Sequence, residues 1–303
     1  LSAQSPEFAD KAKAHWTPER VAKVTGGKRW PVLPSEAPEL LRVLGLLNSD
    51  GSMPADALRK FSQINHMLTL LMPQIDDLIA RHPVVRVLDA GCGTSYLSLL
   101  LAWYVKTKRG HAVDILGIDL NEKVIATSKK RAADLGLTDV TRFEVRGIDA
   151  DFQDRHPEQS EGSLRFHLVI ALHACDTATD AALALAVKQK ADHIAVAPCC
   201  QAELARKWKD LPDSAKHPLG ILFRTPNLRR DTAAQATDAM RMLLLRSRGY
   251  EVTATEFVPS EHTPKNRLIL ATRRGSFLVD AAREFEQMKN ALGGQGIALE
   301  TLL

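Results

Sequence analysis

The sequence predicts a doubly wound α/β fold, a seven-stranded sheet with six strands parallel and the last antiparallel, preceded by a helical region over residues 1–80. Three observations carry this. From residue 84 onward, short β-branched runs with few charges alternate with helical stretches, the texture of a parallel sheet covered on both faces. The last two runs are joined only by PSEHTPK, too short for a parallel crossover, so they are antiparallel to each other. Before residue 81 the texture is helical and punctuated, with no strand pattern.

In order, KAKAHWTPERVAKVTGGKRWPVLP is basic and broken by Gly and Pro, while ELLRVLGLL and DALRKFSQINHMLTLLMPQIDDLIARH carry apolar residues at helical spacing. The sheet domain, residues 81–303, then reads VVRVLDAG and helix YLSLLLAWYV, DILGIDL and helix EKVIATSKKRAADLG, then strand TRFEVRG. FHLVIAL leads to helix TATDAALALAVKQ, and HIAVAP to helix QAELARKW. The long helix TAAQATDAMRMLLLRSRG precedes strands YEVTATEFV and NRLILATRR, and SFLVDAAREFEQMKNAL closes the domain.

Composition bounds the classes. With 45% hydrophobic and 25% charged residues, the chain is an ordinary globular one. No apolar stretch approaches the roughly 20 residues of a membrane span, and LSAQSPEFADKAKAHW lacks a secretion-signal core, so a cytoplasmic chain without a membrane partner is expected. Four cysteines without CxxC spacing fit a reducing compartment. A net charge of +4 permits a polyanionic partner without requiring one.

VLDAGCGT at 87–94 reads strand, glycine-rich turn, helix start. The two glycines leave no side chain where a cofactor must approach the backbone, and the amides of the next helix can meet an oxyanion. The third glycine of the dinucleotide fingerprint is missing, and Asp89 stands where a carboxylate would repel a pyrophosphate, which points away from NAD. Two further strands end in GIDL (117–120) and RGIDA (146–150), placing Asp119 and Asp149 at strand ends, where such sheets bind ligands. Taken singly, Asp119 reads equally as a helix N-cap and Asp149 as a loop carboxylate.

This run of motifs resembles the class I S-adenosylmethionine-dependent methyltransferases, a Rossmann-like family whose first strand ends in D/E-x-G-x-G and whose last strand is antiparallel. The resemblance implies S-adenosylmethionine as cofactor, with Asp89, Gly91, Cys92 and Gly93 in the first motif. It implies Asp119 at the ribose, Leu120 next to it in the cofactor site, Ile148 against the adenine and Asp149 near its amino group. WYVKTKRGHAVD lengthens the spacing from Asp89 to Asp119 and is expected as a longer helix and loop. LHACDTATD would then lie beside the sulfonium methyl, with His173 at the cofactor and able to take a proton. Asp176 reads either as an acceptor-side base or as the cap of the helix beginning at TATD.

No [DN]PP[YFW] follows the fourth strand, which argues against adenine-N6 and glutamine chemistry. APCCQ offers Cys199 as a nucleophile, but after the fifth strand rather than the fourth, the wrong place for a cytosine-C5 methylase. Cys175, Cys199 and Cys200 should gather at neighbouring strand ends, where a soft metal is geometrically allowed. They are read instead as small side chains packed at a cofactor pocket, and no metal ligand is assigned. LHACDTATDAALALAVKQKADHIAVAPCCQ is similar to the family of the methyltransferase-like 25 proteins and the protein named for an rRNA adenine dimethylase domain, over roughly residues 55–272. More distantly it resembles the tRNA acceptor-stem 2′-O-methyltransferases, departing from their KHLCG at Leu172 and from their CCHH at CCQA.

On the acceptor side, Lys60 and Gln63 sit on the helix before the first strand, and EHTPKN offers His262, Lys265 and Asn266. RKWKD and FRTPNLRR, which includes Arg224, bring positive charge and two aromatics that would track a phosphate backbone and stack on a base. The leading expectation is methylation of RNA, tRNA or rRNA above all. A protein side chain or small metabolite as acceptor, and a catalytically silent cofactor-binding module, stand as alternatives. No obligate protein partner is inferred.

Overall fold

Seven strands share one sheet in the order β3-β2-β1-β4-β5-β7-β6, and the chain that builds them divides into two compact units, Leu1–Gly147 and Ile148–Leu303. The computed structural model describes residues 6–148, 165–172, 174–211, 216–257 and 266–303.

The first unit opens with four helices, α1 (Pro6–His15), α2 (Pro18–Thr25), α3 (Pro38–Val43) and α4 (Ala55–Arg81). The first two fall in the stretch that reads as basic and broken, because helices this short leave little periodicity to see. Local signals nonetheless set α2: the Thr17 hydroxyl accepts the Arg20 amide at 3.4 Å, Pro18 occupies the first turn, and Gly26 ends the helix at φ 60°. The segment between α2 and α3 is pinned to α4 by Asn65, whose buried Oδ1 accepts the Val32 amide at 3.0 Å.

Strand β1 (Val84–Ala90) leads through a turn to α5 (Tyr96–Trp103), then β2 (Ala112–Asp119), α6 (Glu122–Asp134) and β3 (Thr141–Val145). The three strands are parallel, with Asp89 opposite Gly117 and Asp119 opposite Val145. WYVKTKRGHAVD lengthens α5 by a π-helical stretch, Tyr104–Lys108. Its cations are spent within the unit: Lys106 pairs with Asp139 at 2.7 Å, Lys108 with Glu36 at 2.6 Å, and Arg109 with Asp76 of α4.

The second unit contains β4 (Leu168–Ala171), α7 (Thr177–Lys188), β5 (His193–Val196), α8 (Glu203–Lys209), α9 (Gly220–Arg224) and α10 (Pro226–Ser247). It ends with β6 (Tyr250–Glu256), β7 (Arg267–Arg273), α11 (Val279–Ala291) and α12 (Ala298–Leu302). β4 and β5 are parallel, and β7 runs antiparallel to both β5 and β6, as the short connection requires. Every residue of β4 and β5 is buried, in keeping with runs that are apolar apart from His193. Among the described residues no helix is long and apolar enough to cross a membrane.

Gly117 marks the tightest packing of the first unit: a Cβ there would lie 2.6 Å from the Phe143 ring and 3.1 Å from Cys92 Sγ. Gly117→Ala should therefore destabilise the fold by about 1–3 kcal/mol in urea unfolding. A change within error of zero would mean that the ring moves aside without cost.

Candidate functional site

At the end of β1 the turn adopts backbone that glycine permits, with Gly91 at φ 75° and Gly93 at φ 53°. The Gly91 and Cys92 amides both donate to the Ile118 carbonyl, at 2.8 and 2.9 Å, which locks the turn against β2. Asp119 completes the latch: Oδ2 accepts the Gly93 amide at 3.0 Å and Oδ1 the Asn121 amide at 2.9 Å. The cap of α6 is Asn121, whose Oδ1 accepts from Lys123 and Val124, so Asp119 is not committed to a helix. Each Asp119 oxygen keeps acceptor capacity for a diol.

Next to it, Leu120 is 76% exposed and Val145, at the adjacent strand end, 49%. Gly147 lies alongside, its ideal Cβ position 3.6 Å from Leu120 Cδ2. Bare backbone, a half-buried carboxylate and an open apolar shelf are the donor set of an adenosyl group. Ile148 is half-buried and begins the second unit, and Asp149 lies outside the described residues.

Asp89 and Cys92 sit behind this surface. Asp89 is 4% exposed and accepts the Ser98 hydroxyl of α5, so it anchors that helix to β1. Burial pushes its carboxyl up to about 6, the Ser98 hydroxyl pulling against and the Asp119 charge adding to the rise. Cys92 is buried, its thiol pushed to about 12 chiefly by that burial, and it serves packing against Phe143 and Gly117.

Lys60, expected at the acceptor side, is exposed and sets its ammonium 3.5 Å from the Tyr96 ring centroid at the start of α5. Arg131 of α6 covers the same ring at 4.7 Å and donates to the Thr94 carbonyl at 2.7 Å. Burial opposes ionisation of Tyr96, but hydrogen bonding and charge from Lys60 and Arg131 outweigh it and hold the phenol below its ordinary value. Gln63 is exposed one turn along α4 from Lys60.

In the second unit LHACDTATD follows β4 as expected, with His173 outside the described residues. Asp176 has φ 51° and ψ −119°, a backbone that non-glycine residues rarely adopt, and it makes no cap to α7. Its carboxylate caps a different helix, α8, accepting the Ala202 and Glu203 amides at 3.0 and 3.2 Å and the Arg206 guanidinium at 2.8 Å. Partial burial is outweighed by these donors, so the carboxyl is held below its ordinary range. Such a group is weakly basic, and it ties the head of α7 to the loop after β5. The three thiols of those loops, Cys175, Cys199 and Cys200, all lie within 4.8 Å of one another.

Sequence reasoning missed the strongest polar contact nearby. Arg241 of α10 is fully buried and grips Asp180 of α7 with Nε and Nη2, at 2.8 and 3.0 Å. Nη2 also donates to the Asp176 carbonyl at 2.9 Å, and Nη1 faces Asp238 at 3.3 Å. Asp238 in turn accepts from Gln201 at 3.2 Å and from Arg267 at 2.7 Å. Burial works against the guanidinium charge, but Asp180 and then Asp238 outweigh it and raise its pKa. The signal in the sequence was a lone charge in each of two apolar runs, DAALALA and MRMLLL.

The remaining acceptor-side expectations divide. Arg224 is exposed at the end of α9, whereas Asn266 is buried, its carbonyl accepting the Phe257 amide at 2.9 Å to extend the β6–β7 ladder. His262 and Lys265 lie outside the described residues. The two aromatics expected to stack on bases, Trp208 and Phe223, are instead buried, with ring centroids 4.8 Å apart. Their apolar area packs α8 against α9, which outweighs any gain from exposing them to solvent.

Residues 59–207 match a family model described as a methyltransferase domain. The match spans just under half of the chain. S-adenosylmethionine is the cofactor that such a domain implies, and the turn, carboxylate and apolar shelf above suit it. Among curated proteins, the glutathione S-transferase C-terminal domain-containing protein of Mus musculus is 25% identical over 241 residues, 73% of this chain and 34% of its own length. Its Homo sapiens counterpart is 24% identical over 261 residues, 80% of this chain and 36% of its own. The chain thus spans about a third of the length of the curated relatives it matches. Among solved structures, the SAH-bound Podospora anserina methyltransferase PaMTH1 aligns with TM-score 0.44 and 13% identity, covering 89% of this chain and 97% of that one. The METTL16 methyltransferase domain aligns with TM-score 0.39 and 16% identity, covering 78% and 76%.

Two outcomes are expected. Arg241→Ala leaves the buried Asp180 carboxylate without its cation and should destabilise the chain by about 3–5 kcal/mol in urea unfolding, with a loss under about 1 kcal/mol contradicting the central role of this pair. Asp89 binds its proton more tightly folded than unfolded, so it weakens the fold as pH rises from 3.8 to about 6, by about 3 kcal/mol in all. Asp89→Asn should flatten that decline when unfolding curves at about pH 4 and about pH 7 are compared with those of the parent. An unchanged slope would place the titration elsewhere.

Proposed function

We propose that the protein transfers the methyl group of S-adenosylmethionine to RNA, with tRNA or rRNA as the acceptor. The observation that carries the transferase reading is the Asp119 latch on a bare glycine turn within the segment that matches a methyltransferase domain. The cofactor supplies a methyl group already activated by its sulfonium. The protein's own task is therefore to hold and align, and to remove the acceptor's proton where the chemistry requires it. In this reading Gly91 and Gly93 admit the cofactor to the backbone, Asp119 takes the ribose hydroxyls, and Leu120 offers an apolar surface to the adenosyl group, to which Ile148 and Asp149 are also assigned. His173 is the proton acceptor. Asp176, held by three donors, positions the loop that carries His173.

Support for RNA comes from the net charge of +4 and from exposed cations on α8 to α10, among them Arg206, Lys209, Arg224 and Arg230. Lys60 and Gln63, and separately His262, Lys265 and Asn266, are assigned to acceptor binding in this reading. The similarity of LHACDTATD and APCCQ to the methyltransferase-like 25 and rRNA adenine dimethylase domain family agrees with it. The burial of Trp208 and Phe223 favours a second reading, a protein side chain or small metabolite as acceptor.

Incubation with methyl-labelled cofactor and separated RNA, protein and small-molecule fractions of a lysate distinguishes these. Label in RNA is expected, and label confined to protein or to small molecules selects the second reading. Asp119→Ala should weaken cofactor binding about tenfold or more by calorimetry. Unchanged affinity would remove Asp119 from the cofactor site.

A further inference from the structure

The loops after β4 and β5 each bring thiols to one point. Cys175 comes from the first and Cys199 and Cys200 from the second, and their sulfurs all lie within 4.8 Å of one another, with Cys175 and Cys199 only 3.0 Å apart. We propose that Cys175, Cys199 and Cys200 form a trithiolate site for a soft divalent cation of the zinc type. Nothing in the proposal depends on the identity of the methyl acceptor or on methyl transfer itself.

Three features support it. The first is reach: a tetrahedral zinc–thiolate centre has sulfurs about 3.8 Å apart, from a metal–sulfur distance of about 2.3 Å. All three sulfurs lie within 4.8 Å of one another, and parting Cys175 from Cys199 by under about 1 Å admits an ion. The second is preorganisation. The Asp176 amide donates to the Cys200 carbonyl at 3.2 Å, and its carboxylate holds the Ala202 and Glu203 amides, so both loops are tied together next to the sulfurs. Ligand-bearing loops held by an outer ring of hydrogen bonds are what metal centres use to fix their ligands. The third is access. A soft cation is held by three thiolates, and Cys175, exposed to solvent, leaves a path for it.

The step balances without an oxidant. Three S–H bonds break, three sulfur–metal bonds form, and up to three protons leave to the buffer for each ion bound, so affinity rises with pH. The fourth position of a tetrahedral ion remains for solvent or a further group, the arrangement of zinc sites that exchange a ligand.

The test uses the full chain, reduced, stripped by a chelator and titrated anaerobically with cobalt(II) alone. The expected result is a sulfur-to-cobalt charge-transfer band with tetrahedral d–d bands, saturating at one ion per chain and bleached by zinc, with proton release on binding. Cys175→Ser should weaken cobalt binding at least about tenfold while circular dichroism and cofactor affinity are retained. Because a cysteine variant can fail to fold, proton release by the unsubstituted chain is an independent readout. The proposal is overturned by the absence of a charge-transfer band in the unsubstituted chain, or by a band that survives in a folded Cys175→Ser/Cys199→Ser double variant. A chain that forms a Cys175–Cys199 disulfide in air and takes up no cobalt when reduced overturns it as well.

Discussion

One buried guanidinium organises the second unit. Arg241 joins α10 to α7 through Asp180, supports the strained Asp176 through its carbonyl, and reaches Asp238, which holds Gln201 after β5 and Arg267 at the start of β7. A full charge in an apolar interior is costly, and it persists here because two carboxylates and a carbonyl surround it. Asp176 and Gln201, at the ends of β4 and β5, are therefore both tied to α10. That tie is what lets a residue such as Asp176 occupy a backbone conformation worth about 1–3 kcal/mol of strain.

The same constraint explains the role that Asp176 plays. A general base needs an available lone pair and a pKa near the working pH. Asp176 is a weak base, since two amides and Arg206 hold its proton affinity down. Its value lies in geometry, because it fixes the separation of two loops that carry reactive side chains. Asp119 works in a comparable way in the first unit, where one carboxylate joins the glycine turn to the end of β2 and still presents oxygen to a ligand.

The strands and the glycine turn were legible because period and punctuation are local properties. Each of the seven β-branched runs is a strand, and the antiparallel placing of β7 followed from the length of one connection. Asp119 could be picked out because it ends a strand. Its alternative as a cap could not be dismissed from sequence, since Asn121 stands two residues on and only the fold shows which side chain turns back. Asp180 and Arg241 were harder to see, because their partnership links residues 61 apart and exists only once α7 and α10 pack. Trp208 and Phe223 misled for a related reason: basic neighbours suggest a surface, but the helix turns its aromatic face inward and its cations outward.

The π-helical stretch after α5 has a consequence for cooperativity. Lys108 reaches Glu36 and the Pro31 carbonyl, and Arg109 reaches Asp76, so an insertion between two strands is fastened to helices that precede both. A fragment beginning at β1 would leave two cations without their counter-charges and strip α5 of its cover. The leading helices and the first three strands thus share fastenings within one compact unit.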